Sequence, residues 1–161
     1  MEHYKKLFMS FVYAFNGIFR TIRNERNLRI HITCMVYMIS ILLFTDWFTL
    51  SRADWAILVL CCGTVIGGEI VNTAIENAVN LAGEEYTEYG KISKDAAAGA
   101  VLISAITAVI VGVIIMFQPE AFRAMFEYFV SNPLMFALLA ISIIPATLFI
   151  FFGIPTGKGE K

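Results

Sequence analysis

Charged residues are scarce in this sequence. Asp, Glu, Lys and Arg make up 16% of the 161 residues, whereas soluble domains carry about 25%. Apolar residues make up 58%, more than so small a globule can bury, because small domains have a high ratio of surface to volume. The composition therefore excludes an ordinary soluble domain and predicts that lipid is the solvent. The net charge of −1 indicates no particular partner, and we expect no nucleic acid.

Cysteine is also rare, and no secretion signal is evident. The three cysteines, Cys34, Cys61 and Cys62, lie in apolar stretches. They lack the spacing of metal ligands, so we expect small buried side chains. The first 29 residues lack the compact apolar core and small-residue cleavage site of a signal peptide. We therefore expect no cleavable signal.

The apolar residues fall into long runs that predict an all-α membrane protein. About 20 apolar residues cross the ~30 Å hydrocarbon layer as a helix. We predict four transmembrane helices, at residues 28–45, 55–82, 96–117 and 134–152. The predicted connections are a turn at 46–54, a polar loop at 83–95 and a loop with Pro119, Arg123 and Pro133. Residues 1–118 would form the core domain, and residues 119–161 would add one span and a polar tail.

The segment before the first span predicts an amphipathic helix at residues 4–24. Large apolar residues recur there at three- and four-residue steps, and basic residues lie among them. Such a helix should lie in the headgroup plane rather than span the bilayer. The apolar members are Leu7, Phe8, Phe11, Phe15, Ile18, Phe19 and Ile22.

The distribution of Lys and Arg predicts the orientation. With the N-terminus inside, ten of the 12 Lys and Arg residues lie on the inner side. Only Arg52 and Arg123 fall outside. Cytoplasmic loops carry the excess of positive charge in membrane proteins. The N-terminus and the loop at 83–95 are therefore predicted to be cytoplasmic.

The second span contains a polar stripe formed by Glu69, Asn72 and Glu76. At about 100° per residue the two carboxylates lie within about 20° of each other around the helix. Each would cost at least ~2.5–3.5 kcal/mol within the bilayer, a large share of a total stability of about 5–15 kcal/mol. We therefore expect a compensating cation, which could be a metal ion, a proton or a lysine from another helix.

Simpler interpretations stay open for the individual acidic residues. Glu76 could lie at the membrane surface and extend into water. Asp95 could stabilise a helix N-terminus, and Glu25 could pair with the neighbouring arginines. Two small-residue groups, Gly67-Gly68 and Ala96–Ala100, are more typical of close helix packing than of ligand contacts.

Three segments together resemble a known family. The stretch Glu69-Ile-Val-Asn72-Thr-Ala-Ile-Glu76, followed by Lys94-Asp95-Ala-Ala-Ala-Gly99, is similar to the motif of the prokaryotic diacylglycerol kinases. The segment Asn24-Glu25-Arg-Asn-Leu-Arg29-Ile-His31 resembles the Gram-positive branch, which includes undecaprenol kinases. The resemblance implies an ATP- and Mg²⁺-dependent lipid kinase of the bacterial inner membrane. It also implies a homotrimer with composite, cytoplasmic active sites and a lipid alcohol as substrate.

The resemblance also implies roles for individual residues. Glu69 would be the general base that takes the proton from the lipid hydroxyl, while Glu25 and Glu76 would hold the metal. Substrate positioning would involve Glu69, Asn72 and Ala98. The nucleotide-binding positions would be Tyr13, Glu25, Glu76, Glu85, Tyr86, Thr87, Lys94 and Asp95.

Two features depart from the family pattern, and two other functions stay open. Asn80 stands where the family usually has Asp, which removes one negative charge near the expected metal. The fourth span lies beyond the usual three-helix core. A small ion-coupled transporter would explain Glu69 but not Glu76, Asn72 or the Lys94-Asp95 pair. A catalytically inactive membrane scaffold is the other alternative.

Overall fold

The computed structural model describes residues 2–83 and 87–154, which form six α-helices and, within those ranges, no strand. Four of the helices, α2, α3, α4 and α6, are long and apolar enough to cross a membrane. The predicted all-α membrane fold is therefore confirmed. The helices are α1 Glu2–Asn24, α2 Arg26–Phe44, α3 Arg52–Leu81, α4 Glu88–Met116, α5 Pro119–Ser131 and α6 Pro133–Phe152.

Local signals explain where the long helices begin. At α3, Ser51 and Asp54 form a reciprocal capping box, in which each side chain accepts a hydrogen bond from the other residue's backbone N–H. Such a box satisfies two donors that a helix start leaves free. At α4, the Thr87 hydroxyl accepts a hydrogen bond from the Gly90 N–H.

Two predicted connections are wrong because they contain helix. The loop predicted at 83–95 is helical from Glu88 onward, since hydropathy does not register polar turns at the end of a spanning helix. The loop predicted around Arg123 is mostly helix α5. Both Pro119 and Pro133 occupy first-turn positions of α5 and α6, where proline is tolerated because its missing N–H would be unpaired anyway.

The closest helix pair is α3 with α4, which run antiparallel. A Cβ added at Gly68 would lie in van der Waals contact with the Val101 side chain, at 3.7 Å, so Gly68 faces α4 directly. Val65, Ala97 and Val101 are buried along the pair. This packing fixes the position of the polar residues of α3, along the helix axis, relative to those of α4.

Helix α6 packs against α2, and α5 covers their outer end. The Tyr37 hydroxyl and the Ser142 hydroxyl are hydrogen bonded at 2.8 Å. The Trp47 ring contacts Tyr128 of α5 with a centroid distance of 5.3 Å. The end of α6 returns beside the start of α2, because Arg29 bonds the Ile150 carbonyl. The start of the first span, α2, and the end of the last span, α6, therefore lie at the same end of the helix bundle.

Most large apolar side chains on the helices are exposed. Residues on α1 such as Phe8 and Phe15 are 67% and 69% exposed, and those on α4 and α6 behave similarly. Cys34 is exposed and the other two cysteines are partly exposed, so the expectation of buried cysteines is wrong. In a membrane protein lipid replaces the protein core as the environment of these residues.

Candidate active site

Glu69 is the most buried acidic side chain of the candidate site. It lies on α3 with 3% exposure, and its Oε1 is 3.3 Å from Nε2 of His31 on α2. The Glu69 backbone carbonyl accepts a hydrogen bond from Thr73 Oγ1. The His31 imidazole thus contacts one of the two carboxylate oxygens of Glu69.

One to two turns further along α3, Asn72 and Glu76 form a second pair. The Asn72 Nδ2 donates a hydrogen bond to Glu76 Oε1 at 3.0 Å. The Asn72 Oδ1 is buried and has no hydrogen-bond partner among residues 2–83 and 87–154. A buried acceptor without a donor is uncommon and costly in folded proteins. A bound ligand could therefore supply a hydrogen-bond donor or a cation to the Asn72 oxygen.

Glu25 lies at the joint between α1 and α2. It is the single residue between the two helices and has an extended backbone, with φ −98° and ψ 113°. Among the described residues, His31, six positions further along the chain, is the basic side chain within salt-bridge distance of Glu69 on α3.

These donors suit a magnesium ion. No group of three or more His, Cys, Asp or Glu within residues 2–83 and 87–154 is close enough to hold a metal alone. Magnesium usually takes only one or two carboxylates, with water and substrate phosphates completing its coordination. Glu76 is half-buried and hydrogen bonded to Asn72, and Glu25 is half-buried at the joint between α1 and α2. Each can supply one carboxylate of the kind that magnesium uses.

A separate polar pocket lies at the paired ends of α3 and α4. Its volume is about 530 Å³, and it contains the side chains of Thr87, Lys91 and Lys94. Lys94 Nζ donates a hydrogen bond to Asn80 Oδ1 at 2.7 Å. Two ammonium groups and a hydroxyl in one pocket provide donors for a phosphate chain.

The structure does not bring all predicted site residues together. Tyr13 lies on the exposed surface of α1, beside Lys5 and Lys6. From Tyr13 to the end of α1 the helix rises about 16 Å. Asp95 and Ala98 are exposed on α4. The predicted nucleotide-binding residues Glu85 and Tyr86 lie outside the described residues.

Two residues at the site were not assigned to it from the sequence. His31 follows the Glu25 segment, but only the packing of α2 on α3 shows that it faces Glu69. Lys91 precedes Lys94 by three positions, a spacing that places two residues on one face of a helix. This spacing could have paired Lys91 with Lys94 from the sequence, but the segment was predicted to be a loop rather than a helix.

Comparisons with known proteins identify the family. The family described as "Prokaryotic diacylglycerol kinase" matches residues 12–116. The undecaprenol kinase of Bacillus subtilis (strain 168) is 38% identical over 117 residues, which is 71% of this chain and 90% of that protein. The diacylglycerol kinase of Synechocystis sp. is 40% identical over 114 residues, 70% of this chain and 63% of that protein. The diacylglycerol kinase of Helicobacter pylori (strain J99) is 28% identical over 103 residues, 64% of this chain and 78% of that protein.

Proposed function

The chain belongs to the prokaryotic diacylglycerol kinase family and is a membrane lipid kinase, and we propose that it transfers the γ-phosphate of ATP to a membrane lipid alcohol. The acceptor is the primary hydroxyl of undecaprenol or of diacylglycerol, the lipids in the names of its relatives. The observation that carries the proposal is the buried Glu69 carboxylate in contact with His31, on the helix that also carries the Asn72–Glu76 pair.

Glu69 serves as the general base in this proposal. The lipid hydroxyl oxygen attacks the γ-phosphorus, the bond to the β–γ bridging oxygen breaks, and ADP leaves. Glu69 takes the hydroxyl proton as the new bond forms. His31 orients the carboxylate through the 3.3 Å contact. A base must be within hydrogen-bond reach of the proton that it takes, and the second carboxylate oxygen of Glu69 would meet that need for a hydroxyl at membrane depth.

In this proposal, other residues of the site bind the metal and the nucleotide. Glu25 and Glu76 would hold Mg²⁺, and Asn72 would orient Glu76 through its hydrogen bond. Magnesium, when bound, neutralises the charge that develops on the phosphates during transfer. Lys94 contacts the γ-phosphate, and Asp95 and Thr87 contact the nucleotide. Phosphoryl transfer depends mainly on positioning and charge neutralisation, which these side chains supply.

The working unit in this proposal is a homotrimer with composite sites. Tyr13 is a predicted nucleotide contact, yet about 16 Å of helix separates it from the joint at Glu25. A neighbouring copy would place its own α1 over the site and remove this discrepancy. The exposed aromatic face of α1 supports the same arrangement. Chemical cross-linking in native-like bilayers would test it, and a monomer-only pattern would contradict it.

We place the site at the cytoplasmic face of the bacterial inner membrane. Ten of the 12 Lys and Arg residues lie on that side when the N-terminus is inside, and ATP is available there. The return of α6 to the start of α2 agrees with an even number of crossings. Labelling of cysteines introduced at the two ends of α3 would test the orientation.

Purified protein assayed with each lipid, Mg²⁺ and labelled ATP tests the proposed activity. Phosphate should enter lipid in the unmodified protein, and Glu69→Gln should remove nearly all of it. The Glu127→Gln variant is the matched control, because Glu127 pairs only with Arg123 on exposed α5 in the described structure. Full activity in Glu69→Gln would refute the assigned base. Proton-driven efflux without lipid phosphorylation would favour a transporter, and the absence of both activities would favour a scaffold.

A further inference from the structure

The end of the fourth span is bonded to the joint that carries Glu25. Arg29, on the first turn of α2, is 5% exposed. Its Nε donates a hydrogen bond to the Ile150 carbonyl of α6 at 3.0 Å. Its Nη1 donates to the carbonyls of Ile22 and Arg23 at 3.1 and 2.7 Å. One guanidinium therefore joins the last turns of α1 and α6.

Helix chemistry explains why an arginine occupies this position. The last carbonyls of a helix have no partner within the helix, and the C-terminal end carries partial negative charge. Two such ends, from α1 and α6, meet at Arg29. The planar fork of a guanidinium can bond several acceptors at once while keeping its charge. Lysine would supply the charge without that geometry.

Gly153 allows the close approach of α6. It follows the last residue of α6 and has φ +68°, a conformation that side chains disfavour. A Cβ at this position would lie 3.3 Å from the Arg23 carbonyl oxygen and 3.3 Å from Arg29 Nη1. The contact between α6 and the joint therefore depends on this glycine.

We propose that Arg29 and the end of α6 form a clasp that positions Glu25 for metal binding. This inference rests on the proposed role of Glu25 as a metal ligand. Glu25 interrupts the helix between α1 and α2, and Arg29 bonds two carbonyls in the last turn of α1, those of Ile22 and Arg23. Thr21, close to the joint, is the buried residue of α1 among those described. The position of Glu25 thus depends on a few contacts near the joint, and α6 supplies one of them.

The fourth span then has a role in the reaction without touching substrate. The family match ends at residue 116, so α6 lies outside it, yet its last turn reaches the matched Glu25 segment. Arg29 is a positioning residue on this account. Weakening the clasp should raise the Mg²⁺ concentration needed for half-maximal activity and leave kcat largely unchanged at saturating Mg²⁺.

The test compares three full-length variants in lipid nanodiscs. Gly153→Val crowds the clasp from α6, and Arg29→Lys removes the fork from α2. Tyr37→Phe is the matched control, because it breaks the other α2–α6 hydrogen bond, to Ser142, without touching Arg29. The first two variants should raise the half-saturating Mg²⁺ concentration about three- to tenfold, the effect of losing one ordinary hydrogen bond. Tyr37→Phe should leave it unchanged.

A second measurement is independent of catalysis. Trypsin cleaves after Arg23 and Arg26, which flank Glu25. A released clasp should speed cleavage at these two sites in Gly153→Val and Arg29→Lys but not in Tyr37→Phe. Gly153→Ala, a smaller change at the same position, should give an intermediate rate and keeps the test usable if the valine variant does not fold.

The outcomes separate this inference from the proposed activity. Faster cleavage in a protein that phosphorylates no lipid would support the clasp and refute the kinase proposal. An active kinase whose cleavage and Mg²⁺ dependence are unchanged in Gly153→Val would refute the clasp. Equal loss of kcat in Gly153→Val and Tyr37→Phe would also overturn it, because it would show that α6 only stabilises the fold.

Discussion

Lys94 donates a hydrogen bond from Nζ to Oδ1 of Asn80 at 2.7 Å, across the α3–α4 pair. Asn80 is the position where the family usually has Asp. The contact is therefore between an ammonium and a neutral amide, and it is weaker than a contact with a carboxylate would be. This bond uses one of the three N–H donors of the ammonium, so a phosphate that Lys94 contacts shares the ammonium with the residue at position 80.

Replacing Asn80 with a carboxylate should therefore raise the KM for ATP. An exposed ion pair is worth about 0–1 kcal/mol, so the expected rise in Asn80→Asp is up to about fivefold. The value of kcat should change little once ATP is saturating. Steady-state kinetics with varied ATP at fixed lipid would measure the effect. A lower KM for ATP in Asn80→Asp would contradict the competition between the phosphate and this side chain for Lys94.

Replacing His31 should slow the reaction through Glu69. His31→Leu removes the group 3.3 Å from the Glu69 carboxylate, while His31→Gln keeps a hydrogen-bond donor. A hydrogen bond to a charged group contributes about 1.5–3 kcal/mol, which corresponds to a loss in kcat of roughly ten- to a hundredfold. His31→Gln should retain most of the activity. Equal activity of both variants, measured with saturating ATP and lipid, would show that His31 does not act on the base.

Replacing Asn72 should weaken metal binding. Asn72→Leu removes the donor to Glu76 and also the unpaired buried oxygen. We expect the half-saturating Mg²⁺ concentration to rise about tenfold, consistent with the loss of a hydrogen bond to a carboxylate. Thr73→Val is the control, because the Thr73 hydroxyl bonds only the Glu69 carbonyl of its own helix in the described structure. A similar rise in Thr73→Val would indicate a general disturbance of α3.

Replacing Ser51 should reduce stability and spare activity. Ser51→Ala breaks the capping box with Asp54, and losing an N-cap costs about 1 kcal/mol. For a chain of this size the Tm should fall by roughly 2–4 °C, measured by thermal unfolding in one detergent. Ser104→Ala is the comparison, since that hydroxyl bonds only the Ala100 carbonyl one turn earlier in its own helix, within the described structure. An unchanged Tm in Ser51→Ala would argue that the α3 start is held by packing instead.

Hydropathy and helical periodicity predicted the spanning helices. The motif from Glu69 to Glu76 predicted which residues of α3 form its polar stripe. Both signals are local, so they identify the Glu69–Asn72–Glu76 stripe from spacing alone. They could not show that His31 faces Glu69 or that Arg29 reaches Ile150, because those contacts depend on how α2 packs against α3 and α6. Helix ends were also missed where polar turns extend α4 beyond the membrane-length segment.

The direct connection of α1 to α2 through Glu25 leaves no slack in the chain at this point. Adding or deleting one residue there would rotate all of α1 by about 100° about its axis. Its exposed aromatic stripe would then face a different direction relative to α2, and no longer linker is present to absorb the change. The connection between α1 and α2 therefore has to remain one residue long for α1 to keep its orientation.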